Sequence, residues 1–272
     1  MVTIRKMGAF LKADAEGYLG KECELSKVQS PWKEAVEEIV QAYLSHHSEA
    51  IHSIYLRGSL PRGLALPGVS DIDTFAVVRV APKDLDLRWI EGFRRDFLRR
   101  NPMAAGLEIQ FFPLEPLLYH RGTFSMRFTI KHLSVCLYGE DLGASIPRFR
   151  PNLNIAYAFH GRLGEEIAQV QKWLESPRSP PEIRRACEWI MKRIVRTGFA
   201  ILIPQEQAYT RDLYLCYETF ARYYPEQSEA MYQALQLAIV PSENTAAILA
   251  VLSGLGSWLC LEADKIYRKN EI

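Results

Sequence analysis

One stretch constrains this chain more than any other: RGSLPRGLALPGVSDID, from Arg57 to Asp73. An apolar run, IHSIYL, leads into it, and another, TFAVV, leads out. Nearly continuous apolar runs of this length read as strands buried on both faces. The chain therefore has to bring a Gly-Ser turn at one strand end and a pair of carboxylates at the next strand start to the same place.

Gly58 closes the first strand. Without a Cβ it lets another group come close and permits unusual dihedrals. Ser59 stands where a short helix can start, and Pro61 suits a first helical turn. Backbone N–H groups at such a start make an anion site. Ser59 adds a hydroxyl, and Arg57 and Arg62 add charge. This is a phosphate cradle, although the G-x-x-x-x-G-K-[ST] loop is absent. Pro67-Gly68 is a turn signal, and Ser70-Asp71-Ile72-Asp73 follows it. At the mouth of a strand, residues i and i+2 point the same way. Asp71 and Asp73 thus face one point while Ile72 faces the core. Paired carboxylates near phosphate oxygens suit a hard cation such as Mg²⁺, which also keeps both ionised. Glu108 is the candidate third acid. It lies in LEIQFF, a strand apolar but for itself and Gln110, where an acid is costly to bury unless paired or metal-bound. Three carboxylates around two metals can steady an in-line transfer.

Further strands are expected over 107–112 and 134–138, and helices over 31–46 and 87–100. From about residue 152 only helical patterns remain, over 152–174, 182–202, 210–223, 226–239 and 243–268, with Ser242 the expected N-cap of the last. The fold class is therefore α+β, with a mixed-sheet head over 1–150 followed by an all-α helical bundle over 151–272. A chain of 272 residues accommodates two such domains. Its net charge of +1 disfavours nucleic acid as a partner, since non-specific binding needs a basic excess. Five scattered cysteines without C-x-x-C read as reduced thiols in a cytoplasmic protein. MVTIRKMGAFLKADAEG shows no apolar leader segment. The apolar run over 245–261 reads as a buried helix, so no membrane partner is expected.

The pattern of Leu56, Gly58-Ser59, eleven residues, then Asp71-Ile72-Asp73, with Glu108 on a later strand, resembles the nucleotidyltransferases of the DNA polymerase β superfamily. Thr74 replaces the last apolar residue of their signature. The 35-residue spacing from Asp73 to Glu108, and Leu137-Tyr138-Gly139, look like the aminoglycoside adenylyltransferases. The resemblance covers residues 51–112 well and the tail only in type. It implies two Mg²⁺ ions on Asp71, Asp73 and Glu108, with Glu108 as general base. It also implies an NTP, ATP first, held through Gly58, Ser59, Arg62 and Ser70, and a hydroxyl acceptor that receives NMP with release of pyrophosphate. A tail helix of such enzymes often places a Lys or Arg on the triphosphate. Lys192 and Arg196 are the candidates, with Arg193 beside them; they read equally as a solvated helix face. Tyr209, Thr210 and Asp212 are substrate-side candidates or an ordinary helix start. The tail is expected to contribute to the nucleotide and substrate cleft.

A small-molecule acceptor is favoured. An aminoglycoside is a polycation and asks for surplus acid, for which the tail offers Glu165, Glu166, Glu188 and Asp212. The alternatives are a protein- or RNA-modifying transferase of the toxin–antitoxin type, or a nucleotide-binding regulator without chemistry.

Overall fold

The computed structural model describes residues 4–119 and 123–270. The first three residues of the stretch read above for a leader lie outside them. In chain order, a two-residue strand β1 (Leu11–Lys12) precedes helix α1 (Trp32–His47), strands β2 (Ile51–Arg57) and β3 (Ile72–Val78) and helix α2 (Trp89–Arg100). Strand β4 (Leu107–Pro113), helices α3 (Leu114–Tyr119) and α4 (Phe124–His132) and strand β5 (Ser134–Gly139) follow. Then come α5 (Leu153–His160), α6 (Leu163–Leu174), α7 (Pro180–Ala200) and the single turn α8 (Ile203–Glu206). After strand β6 (Ala208–Tyr209), the chain ends in α9 (Leu213–Tyr223), α10 (Ser228–Ile239), α11 (Thr245–Val251) and α12 (Ser257–Lys269).

Gly20–Phe149 forms one compact unit, the α+β head. The chain from Arg150 forms the other, together with the segment that ends at Leu19. That N-terminal segment, expected with the head, is therefore grouped with the helices.

The head holds a mixed four-stranded sheet in the order β4-β3-β2-β5. β3 runs parallel to β4, while β2 is antiparallel to both β3 and β5. Alternate residues of each strand are buried on opposite faces, which is why the runs carry no polar period. Ile54, Leu56, Ile72, Ala76, Leu107 and Ile109 pack with Val36, Ile39, Tyr43 and Phe97 of α1 and α2. Tyr55, Phe75 and Val77 point the other way, towards Leu117 and Ile130 of α3 and α4. Neither helix has a counterpart among the expected elements, which leave the segment between β4 and β5 unassigned. Pro113, Pro116 and Gly122 punctuate that segment and hide its helical period.

In the helical unit α7 packs against α5, α6, α9 and α10. Its start is a capping box: the Ser179 side chain accepts from the backbone, Glu182 reaches back to the Ser179 N–H, and Pro180 and Pro181 open the first turn. Gly198 lets α9 and α10 come close, since a Cβ there would stand 2.6 Å from Met231 Cε. The expected last helix is Thr245–Lys269, interrupted by a π-helical stretch at Leu252–Gly256. By length and composition it is apolar enough to cross a membrane. Ile248, Val251, Leu252, Leu255 and Leu259 are buried against the unit. Its N-cap is Asn244, whose side chain accepts from Ala247 N, and not Ser242, whose hydroxyl accepts from Asn244 N one step earlier.

Candidate active site

The site is built at one end of the head sheet, where β2 ends and β3 and β4 begin. Gly58 follows β2 with φ +88°, a left-handed conformation that side chains disfavour. A Cβ at Gly58 would stand 2.5 Å from Asp73 Oδ2, so the absence of a side chain makes room for that carboxylate. Ser59 starts a 3₁₀ turn, Leu60–Arg62, as expected, and its hydroxyl makes no capping bond. Its carbonyl accepts from Leu64 N at 3.0 Å.

Asp71 precedes β3 and is exposed; Ile72 is fully buried; Asp73 is half-buried. The alternation predicted for SDID is thus present. Asp71 lies against Gly106, where a Cβ would meet its Oδ1 at 2.7 Å. Asp73 pairs in register with Arg57 on β2 and with Glu108 on β4. Opposed residues of adjacent strands share a face, so Arg57, Asp73 and Glu108 rise side by side from the face that carries Tyr55 and Phe75.

Glu108 is held on both oxygens. Arg57 Nη2 donates to Oε2 at 2.8 Å, and the Gln110 amide donates to Oε1. Gln110, the second polar residue of LEIQFF, is therefore on the same face at i+2 to orient the acid. Burial works to raise the Glu108 pKa, but a hydrogen bond with Asp73 and the Arg57 guanidinium outweigh it, and the net shift is downward. Thr74, the departure from an apolar position, donates to the Glu108 carbonyl at 2.8 Å and meets Tyr43 Oη at 3.1 Å. Tyr43 also bonds the backbone of Gln110. A buried hydroxyl pair thus fixes the strand that presents Glu108.

Among the described residues, no three His, Cys, Asp or Glu side chains are gathered to hold a metal ion. Glu108 is paired with Arg57 and Asp71 lies against Gly106. The chemistry of the donor set nonetheless fits a hard divalent cation, being all carboxylate oxygen, with two of the three acids seated against glycine backbone.

Each of the remaining candidates has partners within its own unit. Arg62 is ion-paired to Glu22, both side chains being mostly buried (11% and 14% exposed). The Ser70 hydroxyl accepts from Leu66 N at 2.9 Å within the loop. Lys192 pairs with Glu188, and Arg193 with Glu166 through two bonds of 2.7 and 2.9 Å. Arg196 donates to the Arg211 carbonyl at 3.1 Å; burial and the Arg211 cation pull its pKa down to about 10. These three belong to the helical unit. Tyr209 is in β6, paired with Leu11 of β1. Thr210 donates to the Ala9 carbonyl, and Asp212 accepts from Ala9 N at 3.0 Å. All three fasten the N-terminal segment to the helical unit. The acids considered for a polycation are also engaged: Glu165 with Arg162, Glu166 with Arg193, Glu188 with Lys192 and Asp212 with Ala9.

Residues 35–121, which span the Gly-Ser turn and all three acids, match the family model described as the nucleotidyltransferase domain. Those residues of the head form a nucleotidyltransferase domain. The match supports a transferase, one that resembles the aminoglycoside adenylyltransferases. Among solved structures the chain is similar to "spectinomycin adenyltransferase AAD(9) from Enterococcus faecialis", determined with ATP and spectinomycin. The TM-score is 0.50 at 13% identity, over 82% of this chain and 98% of that one. That likeness is one of fold. No curated protein matches the chain by sequence.

Proposed function

We infer that the nucleotidyltransferase moves NMP, from ATP in the first instance, to a hydroxyl of a small-molecule acceptor and releases pyrophosphate. The observation that carries this reading is the register alignment of Asp73 with Glu108, with Asp71 two residues before, beside a Gly-Ser turn at the same sheet end. A divalent cation, Mg²⁺ by its preference for oxygen, would be held by Asp71, Asp73 and Glu108 and would supply positive charge at the triphosphate.

The chain's own residues do the rest. The backbone amides at Gly58 and Ser59 and the Ser59 hydroxyl bind phosphate oxygens. Glu108, steadied by the Gln110 amide, orients the acceptor hydroxyl and takes its proton as the oxygen attacks the α-phosphorus. The P–O bond to pyrophosphate breaks on the opposite side. That AAD(9) was determined with ATP and spectinomycin supports ATP and a small hydroxylated acceptor as the pair to test first.

The test is transfer of α-labelled ATP to spectinomycin, to a panel of aminoglycosides and to cell extract, with Asp71→Asn and Glu108→Gln alongside. Label in a small product that both variants abolish supports the reading. Label in a protein or RNA band moves the acceptor to a macromolecule. Identical behaviour of wild type and variants removes these residues from the chemistry.

A further inference from the structure

Arg57 is the residue whose placement the reaction above does not explain. It directly precedes the phosphate turn, where a cation facing the nucleotide is the simple expectation. Its guanidinium points elsewhere. Arg57 on β2 is opposite Asp73 on β3, and Asp73 is opposite Glu108 on β4. Adjacent strands are spaced about 4.8 Å apart. Arg57 therefore reaches over the strand that bears Asp73 to donate to Glu108 Oε2 at 2.8 Å. Its side chain is 25% exposed and that of Glu108 37%, so solvent screens the contact only in part. On the strand between them, Asp73 stands in register with Glu108 and shares its face. Two carboxylates this close repel unless a cation stands with them.

Resting on the reading that Asp71, Asp73 and Glu108 hold a divalent cation, we propose that Arg57 is the resting counter-ion of the Asp73–Glu108 pair, so that the Arg57–Glu108 contact and metal loading exclude one another. Arg57 is then a positioning residue. It keeps the two acids together when no metal is bound, and it sets how readily the metal enters. A residue that merely braced the sheet would weaken metal binding when removed, because the acids would lose their arrangement. A competing counter-ion does the opposite.

The experiment is nucleotide-free Mn²⁺ binding, read by electron paramagnetic resonance of the free ion, on wild type, Arg57→Gln, Arg57→Lys and Asp73→Asn. Melting temperatures with chelator and with Mn²⁺ accompany it. Arg57→Gln is expected to bind Mn²⁺ about tenfold more tightly, the size of an ordinary coupling between competing ligands. Arg57→Lys stays close to wild type. Arg57→Gln should also melt lower in chelator and recover when Mn²⁺ is added. Unchanged or weaker Mn²⁺ binding by folded Arg57→Gln overturns the proposal. Should that variant unfold in chelator, recovery of the wild-type melting temperature with Mn²⁺ supports it and failure to recover overturns it. Asp73→Asn separates the two layers: if it binds Mn²⁺ as wild type does, the metal reading itself fails. If it loses Mn²⁺ while Arg57→Gln matches wild type, only the counter-ion role fails.

Discussion

Arg57 and Glu108, fifty-one residues apart, are joined by a 2.8 Å hydrogen bond that passes over the strand carrying Asp73. The bond ties the residue before the phosphate turn to the acid proposed as base. It makes the chemistry of the site depend on three strands at once.

Glu108→Gln keeps the size of the side chain and can still accept from Arg57, but it cannot take a proton. Its kcat for nucleotidyl transfer should fall by about 10²- to 10⁴-fold, the usual worth of a positioned base. Its urea denaturation should shift by no more than about 1 kcal/mol, because the ion pair it disturbs is partly exposed. A large loss of stability with little loss of kcat would place Glu108 in the fold and not in the reaction.

Gly58→Ala combines two penalties. The left-handed backbone costs an L-residue roughly 1–2 kcal/mol, and the new methyl stands 2.5 Å from Asp73 Oδ2. Both lower stability, and the second also displaces an acid of the site. Equilibrium denaturation and transfer rate should fall together, and the rate should not recover at saturating ATP.

Thr74→Val removes the donor to the Glu108 carbonyl and the partner of Tyr43. The loss of such a buried hydrogen bond costs about 0.5–1.5 kcal/mol. Combined with Tyr43→Phe, the loss should be smaller than the sum of the single changes, since the two hydroxyls serve one another. A double-mutant cycle in urea measures this.

These residues also mark what was legible in the sequence. The strands of the head stand out because each is buried on both faces and so nearly free of polar residues. The exceptions, Thr74, Glu108 and Gln110, were visible as exceptions, and the acid pattern was readable from spacing alone. What Thr74 does was not readable, because its partners come from α1 and from the register with β4; the duty of Gln110 follows from its place two residues after Glu108 on one strand. Arg57 looked like charge for the phosphates; nothing near it in sequence announces Glu108. The same holds for Tyr209, Thr210 and Asp212. Their partners, Ala9 and Leu11, are some two hundred residues away, and a local reading could only take them for a helix start or a substrate contact. Helices α3 and α4 were missed for a different reason, since prolines and a glycine break their period.

His132 gives the head a pH dependence. Burial, and then the nearby Lys131, Arg148 and Lys21, push its pKa down to about 4, against the pull of its bond to the Gly20 carbonyl. Between about pH 6.5, the value of an unfolded histidine, and pH 4, the unfolded chain takes up a proton that the folded head does not. Stability conferred by the neutral ring is therefore present above pH 6.5, falls through that window, and levels off below it. At 1.36 kcal/mol per pKa unit the loss is at most about 3 kcal/mol. His132→Asn, whose amide can replace the bond to Gly20, should flatten the slope of urea stability between pH 7 and 4.5.

The central claim is that the acids of this sheet end direct transfer of a nucleotidyl group and not of a terminal phosphoryl group. Parallel reactions with α-labelled and γ-labelled ATP, with spectinomycin and cell extract as acceptor sources, test it most directly. α-Label should enter the product while γ-label leaves as pyrophosphate, and Asp73→Asn should abolish both. Label from the γ-phosphate in the product, with ADP released, would contradict it.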